Sequence, residues 1–171
     1  MRKKIFAFLL LSALYAGAQE VPDWENPIVV GINKEPYHAT LTLPSQKADC
    51  KEIRSLNGKW RFQWSADPGK RPADFYKNDF NTDTWDTITV PGAWQLQGYG
   101  KPIYSNVNYP FQKDAPKVTS EPPAEYYSYG HRNPTGSYVT TFEVTPDMKD
   151  KCLSLHFEGV KSAMYVWVNG E

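Results

Sequence analysis

Carboxyl groups are the chemically capable side chains that recur most along this sequence. Hydrolysis of a glycosidic bond uses two of them, about 5 to 9 Å apart on rigid elements. The candidates are Asp79, Asp83, Asp86, Glu121, Glu125, Asp147 and Asp150, all in turn-like polar contexts. Solvated loop acids account for each, so no catalytic pair is assigned within the chain. His38, His131 and His156 show no His-x-x-x-His or related ligand spacing. His156 and Glu158 lie two apart, so on a strand they would share a face and could meet a metal. An exposed polar strand face is the plainer account of that pair. Ser45, Ser105 and Ser137 stand in no Gly-x-Ser-x-Gly context, and no glycine loop suited to a phosphate is present.

What remains is a 21-residue loop candidate, 91–111. A sugar presents hydroxyls around a patch of C–H bonds, and is held by aromatic faces on that patch with amides or carboxylates against the hydroxyls. One asparagine side chain offers an acceptor and two donors. Asn106 and Asn108, flanked by Tyr104 and Tyr109 and fixed by Pro102 and Pro110, supply those parts. The competing reading is that the aromatics anchor the loop to the domain and the amides satisfy its backbone. Composition leaves both open.

The elements that would carry such a loop are short strands. Residues 59–64 alternate Lys, Trp, Arg, Phe, Gln, Trp, the pattern of a half-buried strand. Leu56-Asn57-Gly58 supplies a turn before it and Asp67-Pro68-Gly69 one after it. Residues 87–90 are β-branched and stopped by Pro91. Residues 138–144, 153–157 and 163–168 alternate again, with 28–32 and 38–43 as weaker candidates. At most a turn of helix fits over 73–78. Short strands rich in Trp and Tyr and punctuated by Gly and Pro predict an all-β fold, an antiparallel sandwich or jelly roll with aromatic faces packed between two sheets. A second long loop candidate, 112–134, holds Tyr126, Tyr127 and Tyr129.

Composition bounds the partners. The 171 residues include 6 Trp, 11 Tyr and 8 Phe, with 19 basic and 19 acidic residues. That aromatic content argues against disorder, and the absent basic excess argues against nucleic acid. Arg2, Lys3 and Lys4 precede an apolar run over 5–16, and Ala16-Gly17-Ala18 has the form of a signal-peptidase site. The run is shorter than the ~20 residues a membrane-spanning helix needs. A signal peptide over 1–18 is therefore expected, with export to the periplasm or beyond and no membrane span after cleavage. Removing 18 of the 171 residues leaves 153, and three of the 19 basic residues go with the signal, for a net charge of −3. Export permits a disulfide between Cys50 and Cys152, although two free thiols are the preferred reading. At the other end, Asn169-Gly170 after 166–168 is a strong two-residue hairpin signal, and a hairpin without its returning strand predicts a chain continuing beyond Glu171.

Several blocks together resemble the amino-terminal domain of glycoside hydrolase family 2, specifically of the large β-galactosidases. They are Ser55-Leu56-Asn57-Gly58-Lys59-Trp60-Arg61-Phe62, Val90-Pro91-Gly92-Ala93-Trp94-Gln95-Leu96-Gln97-Gly98-Tyr99, Pro102-Ile103-Tyr104-Ser105-Asn106-Val107-Asn108-Tyr109-Pro110, Asn133-Pro134-Thr135-Gly136-Ser137-Tyr138, and residues 157–170 ending in Trp167-Val168-Asn169-Gly170. Trp24-Glu25-Asn26-Pro27 looks like the family's leader. The resemblance implies a leader over 19–54 and a jelly-roll domain over 55–171, followed in the full enzyme by further β domains and a (β/α)₈ barrel with both catalytic glutamates. It implies that Asn106 hydrogen-bonds the galactosyl group, with Tyr104, Asn108 and Tyr109 as weaker contacts. A substrate- and sodium-binding aspartate would follow the Asn-Gly turn. Magnesium and sodium are implied for the full-length enzyme, none of them bound by this segment. A stand-alone sugar-binding module, or a docking domain for a separate barrel-bearing chain, is the alternative. Departures are Gly92-Ala93, where the family often has Ser-Asn, and the tyrosine-bearing insertion before Asn133.

Overall fold

The computed structural model describes residues 21–36, 53–102, 115–117, 133–161 and 163–171. Among them there is no α-helix, and the regular structure is one antiparallel sheet of three strands. Strand β1, Gly58–Ser65, is central; β2, Asp86–Val90, and β3, Thr135–Val139, flank it. Short 3-10 turns at Asp23–Glu25, Pro68–Lys70, Trp94–Gln97 and Pro146–Met148 complete the set. No helix among the described residues is long and apolar enough to cross a membrane.

The alternation at 59–64 becomes β1 because its period of two puts Trp60, Phe62 and Trp64 on one face. The register carries that face across the sheet. Trp60 pairs with Ile88 and Phe62 with Asp86 on one side, while Phe62 pairs with Tyr138 and Trp64 with Gly136 on the other. Phe62 is fully buried and Ile88 nearly so. The Tyr138 ring lies 4.8 Å from that of Phe62, centroid to centroid. Burial pushes the Tyr138 hydroxyl above its ordinary pKa. Gly136 is small because of this packing: a Cβ there would sit 2.7 Å from both Phe62 and Trp94 ring carbons.

A second aromatic cluster surrounds Trp85, which is buried just before β2 and touched by Phe75 and Phe80 at 5.9 and 5.8 Å. Phe75 and Tyr76 continue it to Trp167, and Trp167 stacks on Tyr165 at 5.8 Å. Trp24 meets Tyr165 edge-on, with the Arg71 guanidinium 5.2 Å above its ring. Burial, then the Asp23 carboxylate, raises the Tyr165 hydroxyl. The chain turns at Asn169 and Gly170, with φ of 54° and 93°. Val168 and Glu171 exchange N–H···O=C bonds of 2.8 and 3.2 Å. Positive φ at both central residues is what a tight two-residue hairpin turn demands.

The sheet is smaller than the sequence pattern suggests. The strand expected over 138–144 is realised as Thr135–Val139, and 28–32, 153–157 and 163–168 belong to no ladder among the described residues. Alternation supplies a face, but a strand also needs a hydrogen-bonded neighbour. Phe142, Val144, Leu153, Leu155, Phe157, Val166 and Val168 are accordingly left 40–47% exposed. Among the described residues one sheet of the expected two is seen. The candidate strand over 38–43 lies outside the described residues, as does Cys50; the Cys152 thiol is free and exposed.

Gly136→Ala should destabilise the protein by about 1–3 kcal/mol through overpacking. Gly159→Ala, whose added Cβ meets nothing within 4 Å, should change stability by under about 0.5 kcal/mol; denaturant unfolding of the two variants tests the contrast. The raised Tyr138 value favours the folded state below the unfolded value of about 10, and that contribution is lost as pH rises through the folded value. Tyrosinate absorbance should therefore titrate later in the folded chain than in the denatured chain, an offset that Tyr138→Phe reduces.

Candidate functional site

The segment leaving β2 is built onto the aromatic face of the sheet. Trp94–Gln97 forms one 3-10 turn, closed where Gly98 takes φ 96° and the Tyr99 N–H reaches the Trp94 carbonyl at 3.1 Å. The turn places Trp94 and Tyr99 on Phe62, at 6.2 and 4.8 Å between centroids. Gly100, at φ 64°, then passes so close to Trp64 that a Cβ would lie 3.2 Å from the indole nitrogen. Apolar packing thus fixes the first half of the 91–111 loop, as the anchoring reading of its aromatics requires.

Two polar contacts pin the same segment to β2. Thr89 donates its backbone N–H to Gln97 Oε1 at 2.8 Å, and Gln97 Nε2 donates back to the Thr89 carbonyl at 3.0 Å. A primary amide has the same donor–acceptor pair as a peptide group, so Gln97 takes the place of a neighbouring strand at this edge. Gly92 makes the fit possible: a Cβ there would stand 2.8 Å from Gln97 Nε2 and 3.0 Å from the Thr89 oxygen. Three residues earlier on β2, Asp86 Oδ2 accepts the Tyr99 hydroxyl at 3.0 Å. Desolvation, with that carboxylate beside it, raises the Tyr99 pKa.

This root ends at exposed Lys101 and Pro102. Tyr104, Asn106, Asn108 and Tyr109 lie outside the described residues. Asp79, Asp83, Asp86, Asp147 and Asp150 are all exposed, as solvated loop acids should be; Glu121 and Glu125 lie outside the described residues. Asp83 accompanies a local turn in which its N–H bonds Asn81 Oδ1 at 2.7 Å. The neighbouring Thr145 side chain and the Arg54 guanidinium, 3.6 Å away, hold Asp147 below its ordinary value. His156 and Glu158 are exposed and belong to no ladder. Among the described residues no three His, Cys, Asp or Glu side chains converge. Sequence reasoning passed over Gln97 and Tyr99, and weighed Asp86 only as a carboxyl candidate. Their signal, a glutamine and a tyrosine flanking a helix-ending glycine, has meaning only once the β2 edge is known to run beside them.

A separate open groove of about 340 Å³ is lined by Val21, Pro22, Asp23, Trp24, Arg71, Tyr165 and Trp167. It marks where residues 21–24 lie against the rest of the described chain.

The profile described as glycosyl hydrolases family 2, sugar binding domain, matches residues 53–171. The beta-galactosidase of Priestia megaterium is 37% identical over 165 residues, covering 91% of this chain and 15% of its own length. That of Clostridium acetobutylicum is 40% identical over 156 residues, 87% of this chain and 17% of its own. The beta-galactosidase large subunit of Leuconostoc lactis is 36% identical over 159 residues, 85% of this chain and 25% of its own. The chain spans between 15% and 25% of the length of these three curated relatives. A glycine-bounded segment pinned to an aromatic sheet face, and a profile match running from the approach to that sheet through the closing turn, lead to one assignment: this chain belongs to glycosyl hydrolase family 2.

Proposed function

We propose that the chain is the amino-terminal part of an exported β-galactosidase that removes terminal, non-reducing β-D-galactose. The observation that carries this is the near-complete alignment of the chain with beta-galactosidases at 36–40% identity, against a small share of each relative's length. On this reading the domain is a jelly roll and residues 1–18 are the signal that exports it. The chain's partners are the galactoside and the remaining domains of its parent, not nucleic acid.

The chemistry divides accordingly. Two carboxyl groups of the parent enzyme's barrel perform the retaining displacement, one as nucleophile and one as acid then base. This segment contributes orientation. Asn106, with Tyr104, Asn108 and Tyr109 around it, meets the galactosyl hydroxyls, its amide donating and accepting in one plane. Holding the sugar in register with the carboxyl groups is worth more than the bonds themselves, because misplacement of reacting atoms costs rate steeply. Magnesium and sodium, which the family resemblance implies for the full-length enzyme, would be held by residues of the parent outside this segment.

Purified chain from residue 19 onward should give no turnover of a chromogenic β-galactoside, whereas the intact protein should hydrolyse it. Asn106→Ala in the intact protein should weaken galactose inhibition roughly tenfold, the value of one or two hydrogen bonds. Turnover by the short chain, or unchanged inhibition in Asn106→Ala, would contradict the reading.

A further inference from the structure

We propose that the groove between residues 21–24 and 165–167 is a separate saccharide site that takes a neutral pyranoside. The residues that line it, Asp23, Trp24, Arg71, Tyr165 and Trp167 among them, all belong to the described chain. The inference does not rest on Asn106.

The wall of the groove is aromatic. Tyr76 stacks on Trp167 at 5.2 Å and Trp167 on Tyr165 at 5.8 Å, with interplanar angles of 18° and 21°. Trp24 then meets Tyr165 at 90° and 6.3 Å. A stack ended by a perpendicular ring makes a corner. One ring can take the C–H patch of a pyranose while the other limits its position. Phe75 meets Trp167 edge-on at 5.6 Å, so the wall stands preformed, as ligand sites mostly do. Tyr165 is nevertheless 45% exposed.

The polar groups decide the class of ligand. Asp23 is exposed, and its carboxylate stands beside the Tyr165 hydroxyl. Arg71 Nη1 donates to the Pro68 carbonyl at 2.7 Å, and the guanidinium lies 5.2 Å over the Trp24 ring. Those two contacts fix a head group that has more donors than the one this bond uses. An acceptor and a donor of opposite charge therefore flank one aromatic corner. An anion would face Asp23 and a cation would face Arg71, whereas a ring of hydroxyls can donate to the first and accept from the second. Hydrogen bonds to charged groups are roughly twice as strong as neutral ones. The volume of about 340 Å³ is at the lower end of the range for ligand sites, about 300–1,000 Å³, which suits a short saccharide.

The test is amide hydrogen exchange of the intact protein, with the chromogenic assay and the melting temperature run on the same samples. The probes are methyl β-thiogalactoside, which resists hydrolysis, and cellobiose, which keeps the pyranose C–H patch without galactose stereochemistry. At least one of them should slow exchange in the peptides covering 21–26 and 163–168, with half-saturation at about 1–10 mM, the affinity an open groove around a small ligand allows. Arg71→Ala should weaken that response about tenfold, as loss of a charge-assisted hydrogen bond does, and Tyr165→Phe about threefold. Tyr165→Phe keeps the aromatic wall, so its sugar-free exchange over 21–26 should match wild type. Neither substitution should change kcat or galactose inhibition. No slowing at these peptides by either sugar up to about 50 mM overturns the inference, and so does an equal response in wild type and both variants. Slowing over 103–110 alone overturns it too, while leaving the reading of Asn106 in place.

Discussion

The packing of Phe62 is the constraint on which the described structure depends. Its ring is closed off by Tyr138 from β3 and by Tyr99 and Trp94 from the segment after β2. One side chain on the central strand therefore joins β3 to the segment after β2, and the rings it meets lie in two separate stretches of sequence. Burying an aromatic ring of this kind is worth about 3–5 kcal/mol against truncation to alanine, a large part of the stability of any domain. Gly136 follows from it, since a Cβ there would stand 2.7 Å from a Phe62 ring carbon.

From that contact the polar features acquire their purpose. Once Trp94 and Tyr99 are fixed on the aromatic face, the intervening turn lies beside the free edge of β2. Gln97 pairs with it and Tyr99 reaches Asp86. A sheet edge is a liability when left bare, and here part of it is occupied by an amide from the same chain. The same arrangement fixes residues 94–100 on the sheet.

Much of this was legible in the sequence, for identifiable reasons. The alternation around Phe62 and the β-branched run stopped by Pro91 gave β1 and β2 because both strands have a hydrogen-bonded neighbour to realise the pattern. The Asn169-Gly170 turn was legible because few dipeptides tolerate two positive φ values in succession. Leu153, Leu155 and Phe157 alternate just as clearly, yet belong to no ladder among the described residues: periodicity reports a face, not a partner. The Gln97–Thr89 pairing was not legible at all. A glutamine eight residues from a threonine has no local signature, and the contact exists only because the turn folds back along the strand. The functional reading came from the resemblance of ordered blocks, above all the one holding Asn106, and not from any arrangement of titratable groups.

Amide hydrogen exchange of the intact protein, with and without saturating galactose, addresses the central claim directly. The account predicts that Thr89 and residues 94–100 are protected before sugar is added. It also predicts that galactose slows exchange in the peptide spanning 103–110. Unchanged exchange across 103–110 under saturating galactose would contradict the claim that this segment carries the sugar contact.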